Sequence, residues 1–191
     1  MHKSNDLPYP DCFHAESAEA WLALGLPEES LIELDKIQPE YQMHPLVIQF
    51  RSRSCRRTRR FDQALTLARQ LKAISPDDYW GYFSENLCLR DMHRLNEAYQ
   101  VLKEAVKHFP ENDLLWYNLA CDACLLGCHD EALKCFRMSL QLHKRNQAGW
   151  DSILSDSDLA AIRPKILEAY RIEKLLDQYF AEPVTRKSPN Y

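Results

Sequence analysis

The stretch WYNLACDACLLGCHDEALKCF, residues 116–136, reads as two helical segments joined at Gly127. Its Asp130-Glu131-Ala132 recurs, at equal spacing, as Asn96-Glu97-Ala98 and as Asp62-Gln63-Ala64. Pro76 and Pro110 keep the same spacing. An Asp or Asn side chain accepts hydrogen bonds from the free N–H groups of a helix start, and an alanine lets a neighbouring helix approach closely. The same helix start thus returns at a fixed phase. A period of about 34 residues implies stacked helical units, none of which buries its apolar face alone.

Composition agrees with an all-helical reading. Only four glycines occur in 191 residues, and no alternating run rich in Val, Ile and Thr supports a strand. Apolar residues make up 46% and charged residues 27%, ordinary values for a globular chain. No apolar run is long enough to span a bilayer, and MHKSNDLPYPDCF at the start lacks the apolar core of a signal peptide, so a cytoplasmic location is expected. Seven cysteines, an odd number at mostly helical positions, fit a reducing compartment better than a disulfide framework.

The repeat resembles that of the tetratricopeptide-repeat (TPR) family. Trp116, Leu119, Ala120, Gly127, Ala132 and Phe136 fall at that family's Trp, Leu, small, turn-Gly, Ala and Phe positions. Steps of one period divide the chain into repeats at 11–44, 45–78, 79–112 and 113–146. The first is degenerate but in phase, with Ala18, Trp21 and Gly25 in place and Ser30 where Ala is usual; its early Pro39 predicts a short second helix. Residues 1–10 are an N-terminal extension, 147–180 form capping helices with an apolar face from Ile166 to Phe180, and 181–191 are expected to be a disordered tail. Helices are expected at about 15–24, 28–37, 45–57, 62–74, 79–92, 96–108, 113–126 and 130–142. The resemblance implies a right-handed α-α superhelix of four helix pairs with a C-terminal cap.

The densest feature is RSRSCRRTRR, residues 51–60, with six arginines on an otherwise acidic chain. Lys and Arg number 24 against 28 Asp and Glu, giving a net charge of −4; outside the block the balance is 18 to 28. In the repeat frame the block is a helix end plus a turn. The macrodipole favours arginine there, which accounts for Arg57, Arg59 and Arg60 as solvated charges.

In the family the first helix of each pair lines a concave groove. Carried over by position, the resemblance implies a groove wall of Gln49, Arg53, Arg56, Trp80, Phe83, Leu87, Arg90, Leu114, Tyr117, Asn118 and Cys121. That wall mixes aromatic surface with three cations, and suits a peptide carrying an apolar anchor and a carboxylate. Trp80 and Phe83 also fit plain packing between repeats. The family's clamp for chaperone C-termini needs Lys or Asn where this chain has Gln49, Arg53, Ser84, Leu114 and Asn118; only Arg53 and Asn118 are compatible.

Other motifs carry less. Cys121, Cys124 and Cys128 with His129 lie at spacings that share a helix face, as zinc ligands would, yet the paired-Cys spacing of structural zinc sites is absent and no metal is expected. Asp156-Ser157-Asp158, directly before Leu159-Ala160-Ala161-Ile162, reads as a helix N-cap. No phosphate loop, nucleophile elbow or His–Glu metal pair is present. The sequence therefore predicts a non-enzymatic, cofactor-free adaptor that binds a segment of a partner protein. The alternatives are a small acidic secretion or assembly chaperone, RNA binding through residues 51–60, and homo-oligomerisation through residues 164–180.

Overall fold

A computed structural model describes residues 7–142, 147–168 and 170–172, and among these no strand occurs. The helices come in antiparallel pairs: α1 (Asp11–Ala23) with α2 (Pro27–Leu34), α3 (Pro45–Arg57) with α4 (Phe61–Ile74), α5 (Trp80–Asp91) with α6 (Leu95–His108), and α7 (Asp113–Leu125) with α8 (His129–Leu142). They stack into a right-handed superhelix, each pair packing on the next. As Pro39 predicts, α2 is short, and Pro39–Tyr41 is a single 3-10 turn. Helix α1 starts at Asp11, earlier than its apolar pattern begins, because the Pro8 and Pro10 carbonyls accept from Cys12, Phe13 and His14.

Every pair turns in the same way. Gly25, Arg59, His93 and Gly127, each one repeat from the next, have φ of 78°, 63°, 59° and 79°. The next residue donates its N–H to the carbonyl five positions back: Leu26 to Trp21 at 2.9 Å, and Arg60 to Cys55, Arg94 to Leu89 and Cys128 to Ala123 at 2.8 Å. This is the Schellman closure, which satisfies helix-end carbonyls and prefers glycine at its left-handed position. Arg59 and His93 adopt it at a cost of about 1–2 kcal/mol each.

The seam inside each pair also repeats. Ser30, Ala64, Ala98 and Ala132 are fully buried, so the facing helix approaches closely. Ser52 Oγ donates to the Ala64 carbonyl at 2.9 Å, and Asn86 Nδ2 to the Ala98 carbonyl at 3.2 Å. Ser30, which stands where the other pairs have Ala, accepts from Ser54 Oγ at 2.9 Å and leaves no orphaned hydroxyl. Asp62, Asn96 and Asp130 are placed differently from the expectation. Each is the second residue of its helix, not the cap, and α4 and α6 have no side-chain cap bond. The Schellman turn leads the chain straight into the next helix, so the acids at 62 and 130 act on the macrodipole instead.

Between pairs, α4 and α5 meet most tightly at Gly81. A Cβ there would lie 2.5 Å from the Lys72 backbone. Glu85, on α5 as well, accepts from Arg69 Nε at 2.8 Å and from Lys72 Nζ at 2.6 Å. Helix α5 is thus held in place behind the groove it lines.

The C-terminal cap keeps the register of the body. Helix α9 (Gln147–Ser155) begins one repeat after α7, and the helical residues from 163 onward begin one repeat after α8. Unlike the other first helices, α9 stops early, and a 3-10 segment at Ser157–Ile162 replaces its last turn. Trp150, 1% exposed, packs between the rings of Phe136 and Tyr170 at centroid distances of 6.5 and 5.1 Å. Leu159, Ile162 and Ile166 complete the core there, each such side chain contributing about 1.5–3 kcal/mol by burial. Ile172, expected on the apolar face, is 53% exposed. The rest of that face, residues 173–180, and the tail 181–191 lie outside the described residues.

Candidate functional site

The first helices α3, α5 and α7 present two crevices in equivalent register. The upstream one, between α3 and α5, is a pocket of about 210 Å³ lined by Ser52, Arg53, Arg56, Arg57, Trp80, Phe83, Ser84 and Leu87. The positions one repeat further on, the downstream crevice by their register alone, include Leu87, Arg90, Leu114, Tyr117, Asn118 and Cys121. The same helix positions thus serve both crevices. Their electrostatics differ.

Downstream, the chain fills its own surface. Because α9 ends at Ser155, the chain bends inward and the 3-10 segment packs on α7. Asp156 caps that segment as its sequence suggests, Oδ1 accepting from the Asp158 N–H at 2.9 Å. Its Oδ2 accepts from the Tyr117 hydroxyl at 2.5 Å and lies 3.9 Å from Cys121 Sγ. Asp158 pairs with Arg90 Nη2, and Arg90 Nη1 lies 3.2 Å from Oδ1 of the fully buried Asp122. Oδ2 of Asp122 accepts from Asn86 Nδ2 at 2.6 Å. The Arg90–Asp122 contact is an ion pair outside hydrogen-bond geometry, which leaves Asp122 Oδ1 without a donor. Burial accordingly raises the Asp122 pKa to about 6 against the opposing pull of Arg90. Burial also works against the charge of Arg90, but Asp158 and Asp122 outweigh it and raise its pKa. Asn118 donates to the Leu114 carbonyl at 2.8 Å within its own helix. The expectation that Arg90 offers a cation to a ligand is thus corrected: two acids of this chain already hold it.

Upstream, Arg53 stands apart. It is half-buried, its guanidinium lies 5.8 Å from the Phe50 ring centroid, and among the described residues it has no ion pair or hydrogen bond. Burial lowers its pKa, Glu19 opposes that, and Arg57 and Arg56 add to it. Guanidinium remains cationic under all physiological conditions, so this is a partly desolvated positive charge with no ion pair among the described residues, Glu19 acting on it only through space. Arg56 donates through Nη1 to Asp91 at 2.8 Å. Trp80 and Phe83 meet edge to face at 5.9 Å and stay partly exposed to the pocket, Phe83 also packing on the core behind. Gln49, expected on the wall, is 6% exposed and does not line the pocket.

The other arginines of the block scatter. Arg51 donates to Asp35 at 2.6 Å, Gln42 at 2.7 Å and the Leu34 carbonyl at 3.1 Å. Arg60 forks onto both Glu28 oxygens at 3.1 and 2.8 Å. Arg57, expected to be merely solvated, is exposed but donates to the Leu22 carbonyl at the end of α1 and borders the pocket. The block is dispersed over different surroundings.

The cysteines and His129 do not converge. Cys121 and Cys124 are buried, whereas Cys128 and His129 are exposed where the turn enters α8. Among the described residues the one group with metal-ligand spacing is Cys121, Asp156 and Asp158, whose donor atoms lie within 4.8 Å. Arg90 and Tyr117 already hold its carboxylates, and burial, followed by the Asp156 charge, raises the Cys121 thiol pKa far above neutrality. A cation there would meet the Arg90 charge, so the donor set favours no metal.

No family model and no curated protein matches the chain. Several solved structures do. The chain is similar to TTC0263, a thermophilic TPR protein of Thermus thermophilus, at 19% identity over 90% of this chain and 93% of that one, with a TM-score of 0.71. It is similar also to MamA from Desulfovibrio magneticus RS-1, residues 41 to the end, at 12% identity over 92% and 99% with a TM-score of 0.64. MamA AMB-1 matches at 16% identity over 91% and 94%, with a TM-score of 0.57. The chain has the tetratricopeptide-repeat fold. No helix among the described residues is long and apolar enough to cross a membrane.

Proposed function

We propose that this protein is a non-enzymatic interaction module that binds a segment of a partner protein in its concave groove. The ligand engages the upstream crevice through a carboxylate and an apolar anchor. One observation carries this reading: Arg53 is half-buried beside Trp80, Phe83 and Leu87 with no ion pair or hydrogen bond among the described residues, and Glu19 offsets its burial only through space. A partner carboxylate would supply the missing charge through a bidentate pair, and an apolar side chain would fill the aromatic-walled pocket. The repeat-by-repeat division at 11–44, 45–78, 79–112 and 113–146 gives the groove its periodicity.

The reading is tested by affinity purification from the native cell, with the protein compared to a Phe83→Asp, Arg53→Ala double variant that keeps its helical circular dichroism. Loss of a stoichiometric protein partner from the variant is the expected result. Undiminished capture of the same partners would contradict groove binding. RNA binding through the arginine block makes a different prediction, an affinity that falls by orders of magnitude over a few-fold rise in salt. The dispersed pairing of Arg51, Arg56, Arg57 and Arg60 disfavours it.

A further inference from the structure

At the downstream positions the chain lays one of its own segments against the first helices. There, Asp156-Ser157-Asp158-Leu159 lays two carboxylates, at i and i+2, against the first helices and sends the following leucine into the core. We infer that the upstream crevice takes a partner segment of the same chemistry: acidic residues at i and i+2 followed by an apolar residue. This rests on the groove-binding reading above.

The register supports the correspondence. Arg56 occupies in α3 the position that Arg90 occupies in α5, and Phe83 and Leu87 stand where Tyr117 and Cys121 stand downstream. Two substitutions tune the upstream copy for a ligand from outside. Position 88 is Cys88 where the downstream crevice has Asp122, so no buried acid neutralises Arg56 from behind. Position 53 is a cation where the downstream crevice has Leu87, which replaces the hydroxyl lost in going from Tyr117 to Phe83. A first carboxylate would thus meet Arg53. A second would meet Nη2 of Arg56, whose Nη1 stays on the partly exposed Asp91. The apolar residue that follows would fill the rest of the pocket beside Trp80, a placement taken from the pocket lining and not from Leu159, which enters the core. Three arginines and no carboxylate line the pocket; the acids that act on them, Asp91 on Arg56 and Glu19 on Arg53, stand outside the lining.

The test is display of random dodecapeptides on the immobilised full chain, counter-selected on Arg53→Ala, with recovered peptides measured by fluorescence anisotropy. The expected outcome is enrichment of an acidic-x-acidic-apolar pattern. Changing either acid to its amide should weaken binding about tenfold, Arg53→Ala by about tenfold or more, and Arg53→Lys by an intermediate factor, because the fork is lost while the charge stays. Thermal melts of the Arg53 variants should match the parent. Enriched peptides of another pattern whose binding depends on Arg53 would overturn this inference and leave the groove reading standing. Absence of any Arg53-dependent peptide would overturn both.

Discussion

The two crevices are built from equivalent positions of consecutive repeats, yet one is closed and the other open. Arg56 and Arg90 occupy the same position in consecutive first helices. Arg90 is held by a buried acid behind it and by Asp158 from the cap, and these raise its pKa; Arg56 has Asp91 alone, and its neighbour Arg53 has no ion pair among the described residues and a pKa lowered by burial, which Glu19 only partly opposes. A repeat position therefore fixes where a side chain points, and the counter-charges around it decide what it does. When the chain supplies those charges the site is structural. When it does not, the cation stays without an ion pair, as Arg53 does among the described residues.

The sharpest way to break this comparison is to remove each arginine in turn. Arg90→Leu leaves Asp122 buried and unpaired, and urea denaturation should show a loss of about 3–5 kcal/mol. Arg56→Leu should cost less than about 1 kcal/mol, because Asp91 reaches water. Equal losses would show that the crevices do not differ as described.

The buried acid gives a second handle. Asp122 titrates at about 6 in the folded chain, above the ordinary value of about 4 for an unfolded aspartate. Between those values the folded state binds more protons than the unfolded one. The Asp122 contribution is therefore fully present below pH ~4 and is lost as pH rises through about 6, by up to about 3 kcal/mol. Stability measured across that window should flatten in Asp122→Asn. An unchanged profile would remove the case for a strained downstream pair.

Arg53→Ala sharpens the contrast from the other side. It should weaken the selected peptide by about 1.5–3 kcal/mol, while unfolding free energy stays within about 0.5 kcal/mol of the parent. The smallest expected effects lie in the turns, outside both crevices. Arg59→Gly and His93→Gly relieve left-handed strain, and each should raise stability by about 0.5–1 kcal/mol with peptide affinity unchanged.

Much of the architecture was legible in the sequence, because one repeating register constrains every helix at once. Eight helices fall within a few positions of their expected ranges. Two features escaped. The turn residues Arg59 and His93 carry no glycine signal, and only their phase with Gly25 and Gly127 marks them as left-handed. The cap reads as a change of pattern because Asp156 cuts α9 short, although residues 147 and 163 keep the phase. At the pocket, Arg53, Arg56, Trp80, Phe83 and Leu87 stand where the repeat puts them and Gln49 does not, and the pairing of the arginines was not legible. Arg90 meets Asp158 from a distant part of the sequence, and no local pattern announces that contact. Three arginines looked alike until the surrounding acids were placed.

The central claim, an open upstream crevice beside a self-filled downstream one, is tested most directly by a two-dimensional amide NMR titration of the full chain with the display-selected peptide. Shifts confined to residues 52–57 and 80–87, with residues 114–121 and 156–159 unmoved, are the predicted result. Shifts centred on α7, or signs that residues 156–159 leave their place as the peptide binds, would contradict it.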